Sequence, residues 1–192
     1  MTPGGLTAPV AFLPQETHGL PGRLGFAPAP GRWRLDASLP PARCLDDDLR
    51  TLCACGASVL VTLLEESEMA RIGLADLLAR AERAGLETLW FPIADATAPS
   101  DLGPTARLVE KILERLAAGR TVVVHCHAGI GRSGTVAACC LVARGADPRR
   151  AIDAVREARP GAATAPGQED FVRAFGGACL GRAGSVNEED WP

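Results

Sequence analysis

The reactive potential of this chain is concentrated in residues 125–133, which read His-Cys-His-Ala-Gly-Ile-Gly-Arg-Ser. The run Thr-Val-Val-Val-His at 121–125 has the β-branched density of a central strand, and residues 133–144 are compact, small-sided and helical. Cys126 therefore falls at the carboxyl end of a strand, in the turn into a helix, which is where open α/β sheets bind ligands. A helix N-terminus and the main-chain N–H groups of such a turn make an anion site. Gly129 and Gly131 permit backbone conformations and close approaches that larger residues resist. The loop His127, Ala128, Gly129, Ile130, Gly131 and Arg132 suits a phosphate-sized dianion. The same positive surroundings favour a nucleophilic thiolate over a thiol. Arg132, six residues after Cys126, can return its planar fork to grip two oxygens at once, which a lysine could not do equivalently. Ser133 can donate its hydroxyl to the Cys126 sulfur and help it leave when a phosphocysteine is hydrolysed.

Positioning that loop requires a sheet and its helices, and the pattern supplies them. Acidic residues 46–48 open a helix that should stop near Gly56. Residues 58–64 (SVLVTLL) form an apolar run of the kind found in a strand buried on both faces. Residues 76–84 carry Leu77, Leu78 and Ala81 at helical spacing and end at Gly85. Residues 88–93 (TLWFPI) read as another strand, and Pro104 opens an amphipathic helix with Leu108, Ile112, Leu113 and Leu116 on one face, closed by Gly119. Asp147-Pro148 caps the next helix, which Pro160-Gly161 ends, and residues 168–175 form the last. Residues 33–35 are read as the start of a strand. Residues 1–30 contain six Pro and five Gly, a density that opposes regular helix or strand, so this segment is expected to be a loop or arm. Alternating strands and helices imply an α/β fold: a single domain with a central, mostly parallel sheet flanked by helices on both sides. The expected organisation is an N-terminal arm (1–22), the catalytic domain (23–176) and a C-terminal tail (177–192).

Composition narrows the function classes. The chain has 192 residues, 47% hydrophobic and 22% charged, with a formal charge of −3, so one soluble globular domain is expected. There is no bulk positive field to coat nucleic acid, and any anion must be held by a local site. Of the 20 basic residues only Lys111 is not arginine. No apolar stretch reaches the ~20 residues of a membrane span, and the N-terminal stretch lacks the charge pattern of a secretory signal. Seven cysteines, an odd number that includes the adjacent Cys139 and Cys140, suit reduced thiols and a cytoplasmic location. Cys53-Ala-Cys55 is not a zinc-knuckle gap, and neighbours in the His125-Cys126-His127 run point to opposite faces of a strand. No metal site is therefore expected.

The HCxxGxxRS pattern resembles the signature loop of cysteine-dependent protein tyrosine and dual-specificity phosphatases. Residues 91–95 (FPIAD) and 151–156 (AIDAVR) resemble segments of the kinase-associated phosphatase group, and the likeness covers about residues 20–175. The resemblance implies a two-step reaction through a phosphocysteine on Cys126, with no cofactor and no metal. It also implies a phosphorylated protein as substrate; a monomer with no nucleic-acid or membrane partner is expected. It implies a carboxylic acid on a loop after a strand, and Asp95 occupies that place; it would protonate the departing oxygen and then take a proton from water. Asp101 is the reserve candidate, although Ser100 and Asp101 also precede Gly103-Pro104 as helix-start residues would. His125 is carried over as a support that orients the loop. Gln168 corresponds either to a glutamine that positions the hydrolytic water in some relatives or to an ordinary polar helix start. The absence of lysine at positions 128 and 131 argues against a highly charged inositide substrate.

Three other readings compete. A rhodanese-like sulfurtransferase also wraps a loop after a catalytic cysteine, but would leave Arg132-Ser133 and the Asp95 loop without roles. An inactive phosphoprotein-binding module would normally lack the cysteine or the arginine, and a buried structural cysteine would not need the flanking pattern. Cys53, Cys55, Cys139 and Cys140 could serve as redox partners of Cys126, although apolar packing explains each of them.

Overall fold

The computed structural model describes residues 10–31 and 45–183. The strand expected at 33–35 and Cys44 lie outside them. In chain order the elements are β1 (Ala11–Phe12), β2 (Leu24–Ala27), α1 (Leu45–Ala54), β3 (Ala57–Thr62), α2 (Glu66–Arg71), α3 (Leu77–Arg83), β4 (Glu87–Trp90), α4 (Leu102–Ala117), β5 (Thr121–His125), α5 (Gly131–Ala143), α6 (Pro148–Ala158) and α7 (Gln168–Ala183). The sheet has the order β1-β2-β5-β3-β4. The pairs β2–β5, β5–β3 and β3–β4 are parallel, and only the edge pair β1–β2 is antiparallel.

Strand alternation sends side chains to two separate cores. On one face Val59, Val61, Val122, Val124 and Phe26 pack with Ile112, Leu116, Val136, Ile152 and Val172 from α4, α5, α6 and α7. On the other, Leu60 and Val123 pack with Leu49, Leu52, Met69 and Leu77 from α1, α2 and α3. The central strand β5 is buried along its whole length, as expected of a parallel strand covered on both faces. Helix α6 starts as its sequence announces: the Asp147 carboxylate accepts from the N–H groups of Arg149 and Arg150 at 2.9 and 3.2 Å, with Pro148 in the first turn.

Two expectations need correction. The Pro/Gly-rich segment is not simply a loop: β2 lies within it, is fully buried, and pairs with β5 near the centre of the sheet. Its four residues lie between Gly22-Arg23 and Pro28, too short a run to register against the surrounding turn residues. Gly25 within it lets the edge strand pack closely, because a Cβ there would come 2.7 Å from the Val10 side chain and force it or Phe12 to shift. Helix α2 was not anticipated either; six residues with no apolar period leave no helical signature. The expected boundary at 22/23 falls between the paired strands β1 and β2, and that at 176/177 falls inside α7.

Candidate active site

The loop joining β5 to α5 is anchored by the unexpected strand beside it. The Ala29 N–H donates to the His127 carbonyl at 3.1 Å. Gly129 has φ 70, and a Cβ on it would lie 2.2 Å from the Ala27 carbonyl carbon, so only glycine lets the loop close against the end of β2. Cys126, 3% exposed, sits at the mouth of this loop with its Sγ 3.5 Å from the Ser133 Oγ. Because α5 begins at Gly131, its first-turn N–H groups have no intrahelical acceptors and lie next to the loop.

Arg132 is buried and almost fully engaged. Nη1 donates to Glu68 Oε2 at 2.7 Å and to the Ile93 carbonyl at 2.9 Å; Nη2 donates to Glu68 Oε1 at 3.0 Å and to Asp95 Oδ1 at 2.8 Å. Burial alone would depress this guanidinium, but the hydrogen bonds to Glu68 and the charges of Cys126, Glu68 and Asp95 hold it above its usual value. Glu68, 4% exposed, comes from α2 and was not a sequence candidate. Its signal, a carboxylate near the start of a helix, is shared by many solvated glutamates. Only its position opposite Arg132 distinguishes it.

His125 is fully buried, and burial pushes its imidazole down to about 4, so it is neutral at physiological pH. Its partners set the tautomer. The Cys126 carbonyl, 3.3 Å from Nδ1, can only accept, so Nδ1 carries the proton and Nε2 accepts from the Thr62 hydroxyl at 2.8 Å. His125 thus ties the strand end to β3 through hydrogen bonds rather than through charge.

A cavity of about 310 Å³ opens over the sulfur, lined by Asp95, Ala96, Cys126, His127, Ala128, Gly131, Arg132, Thr164, Ala165 and Gln168. It brings together Cys126 and Arg132 of one loop with Asp95 and Gln168 from two other stretches of chain. Asp101 does not line it; its carboxylate accepts from the Gly103 N–H at 2.8 Å and caps α4. Arg159, also missed from sequence, donates to the Ala128 carbonyl at 3.1 Å and steadies the loop from the end of α6. Burial lowers its guanidinium, while the charge of Cys126 acts in the opposite direction. Glu68, Asp95 and His127 each place a potential ligand atom within 4.8 Å of the others. Both carboxylates already accept from Arg132, and a cation among them would press against that guanidinium, so Glu68 and Asp95 are best described as acceptors for the arginine. Cys139 and Cys140 lie in the core on α5, where burial raises both thiols, that of Cys140 to about 12.

A strand-end cysteine, an anion loop at a helix N-terminus and a buried arginine define a cysteine-based phosphatase of the dual-specificity type. Residues 38–172 match the family described as PTP-SAK, Swiss Army Knife protein, DSP-PTPase phosphatase domain, and the chain belongs to it. The human cyclin-dependent kinase inhibitor 3 is 30% identical over 119 residues, covering 61% of this chain and 56% of that protein. A crystal structure of kinase associated phosphatase, with its catalytic-site cysteine replaced by serine, superposes with a TM-score of 0.80 at 26% identity, covering 89% of this chain and 95% of that one. The mouse phosphatidylglycerophosphatase and protein-tyrosine phosphatase 1 is 32% identical over 95 residues, 49% of each chain. Among the described residues no helix is long and apolar enough to cross a membrane.

Proposed function

We propose that this chain dephosphorylates phosphorylated protein side chains through a phosphocysteine on Cys126. The single observation that carries this reading is the convergence of Cys126, Arg132 and Asp95 on one small cavity. In the first step the Cys126 sulfur attacks phosphorus, the ester P–O bond breaks, and Asp95 gives its proton to the departing oxygen. Arg132, held in plane by Glu68, offers its fork to the phosphoryl oxygens; the exposed Asp95 carboxylate leaves Nη2 as the dianion arrives. In the second step water attacks phosphorus, Asp95 takes its proton, and the P–S bond breaks with the Ser133 hydroxyl donating to the sulfur. His125 holds the loop in shape, and the N–H groups of residues 127–132 receive the phosphoryl oxygens.

The protein substrate is supported by relatives named for cyclin-dependent kinase and for association with a kinase. The phosphatidylglycerophosphatase relative supplies the competing lipid substrate. The reaction uses no metal or cofactor. The six described cysteines are all free, which fits action in the cytoplasm.

The test is hydrolysis of p-nitrophenyl phosphate in EDTA, followed by phosphotyrosine, phosphothreonine and phosphatidylglycerophosphate substrates. Activity should vanish in Cys126→Ser and fall by at least about a hundredfold in Arg132→Lys, while Asp95→Asn should lose about a hundredfold on poor leaving groups and less on p-nitrophenyl phosphate. Turnover by Cys126→Ser would refute the mechanism. Sulfur transfer from thiosulfate to cyanide without phosphate release would favour a rhodanese-like enzyme, and phosphopeptide binding without turnover a binding module.

A further inference from the structure

The side chain of Gln168 is fully buried at the start of α7, yet it lines the catalytic cavity. Its Nε2 donates to the Thr97 carbonyl at 2.8 Å, and its Oε1 accepts from the Ala165 N–H at 3.1 Å. A carbonyl can only accept and an N–H can only donate, so these partners fix the orientation of the amide. It also packs against the phosphate loop, since a Cβ on Gly131 would come 3.0 Å from Nε2.

Thr97 closes the turn that carries Asp95. Its N–H donates to the Ala94 carbonyl at 3.3 Å and its hydroxyl donates to the same oxygen at 2.9 Å, with Asp95 and Ala96 between. Ala96 has φ 57, a left-handed conformation that is strained for a residue with a Cβ and persists only where its surroundings enforce it. Buried Arg132 reaches this turn through the Asp95 carboxylate, a contact given up when phosphate arrives, whereas Gln168 reaches it through the main chain and has no such reason to let go.

We propose that Gln168 is a positioning residue for the general acid: by holding the Thr97 carbonyl it fixes the strained turn that presents Asp95 to the departing oxygen. This rests on Asp95 being that acid, and it differs from a glutamine that orients the attacking water. A carboxyl oxygen in place of Nε2 removes the donor while keeping the acceptor for Ala165. The carboxyl form, when protonated, supplies the donor again.

The experiment compares Gln168→Glu, Gln168→Ala, Asp95→Asn and the Gln168→Glu/Asp95→Asn double variant on aryl and alkyl phosphates of graded leaving-group basicity. Vanadate affinity and thermal unfolding are measured in parallel. The expected result is a loss of about tenfold in kcat for poor leaving groups and less than about twofold for p-nitrophenyl phosphate, with vanadate affinity retained. The Gln168→Glu deficit should shrink as pH falls, Gln168→Ala should show no such recovery, and the double variant should be no slower than Asp95→Asn alone. Equal losses on all substrates with weakened vanadate binding would overturn the proposal and assign Gln168 to the phosphate loop. A burst followed by a slowed second step, independent of leaving group, would overturn it in favour of water positioning. If Asp95→Asn itself shows no leaving-group dependence, the acid assignment falls and the proposal with it.

Discussion

Replacing Glu68 by alanine leaves the Arg132 guanidinium, 2% exposed, without the carboxylate that accepts two of its hydrogen bonds at 2.7 and 3.0 Å. Breaking a buried ion pair by removing one partner typically costs about 3–5 kcal/mol, because an uncompensated charge stays buried. Here the Ile93 carbonyl and the Asp95 carboxylate still accept from the same group, and Asp95 is 58% exposed and free to relax, so the lower end applies. A loss of ~3 kcal/mol in a chain of this size lowers Tm by roughly 6–12 °C. Urea unfolding followed by tryptophan fluorescence measures it. The same substitution releases the guanidinium from its plane, so kcat/KM should fall by at least about tenfold for good and poor leaving groups alike. This uniform loss separates a fault in phosphate binding from one in proton transfer. Stability within about 0.5 kcal/mol of the parent, the range of an ordinary surface substitution, would refute the claim that Glu68 is the partner holding Arg132.

The neutral, buried His125 makes stability pH-dependent. Its folded value of about 4 lies below the unfolded 6.5, so the unfolded state binds more protons between them. About 3 kcal/mol present at neutral pH is lost as pH falls from 6.5 to 4, and this component should disappear from the urea-unfolding profile of His125→Gln. Gly129→Ala forces a left-handed alanine against the Ala27–Pro28 backbone and should cost roughly 2–4 kcal/mol in thermal unfolding, with loss of activity. Asp101→Ala should lower stability by about 1 kcal/mol through loss of the α4 cap, while the ratio of rates on poor and good leaving groups stays that of the parent.

Much of the architecture is legible because its signals are local. The β-branched run ending at His125, the small-sided helix after it, the amphipathic period around Leu108 and Ile112, and the Asp147-Pro148 cap each declare an element within a few residues. The spacing of Cys126, Arg132 and Ser133 is likewise contained in one loop, and the likeness of that loop to known phosphatases follows from it. Strand β2 and helix α2 have no such internal signal. The strand exists because its four residues pair with β5 in the buried centre of the sheet; the helix is too short for a period.

What the sequence by itself determined was the chemistry available and the loop that concentrates it: a cysteine at a strand end, an arginine placed to return to it, and an α/β frame to hold both. Only the tertiary structure decided which distant groups act on that loop. Glu68 meets Arg132 across 64 positions of chain and Gln168 meets Thr97 across 71. Asp95 and Asp101 are both plausible acids on paper, but the fold turns one into the cavity and commits the other to a helix cap. A buried charge or amide must find its partner wherever the sheet and helices bring one, and that geometry is a property of the packed whole rather than of any segment.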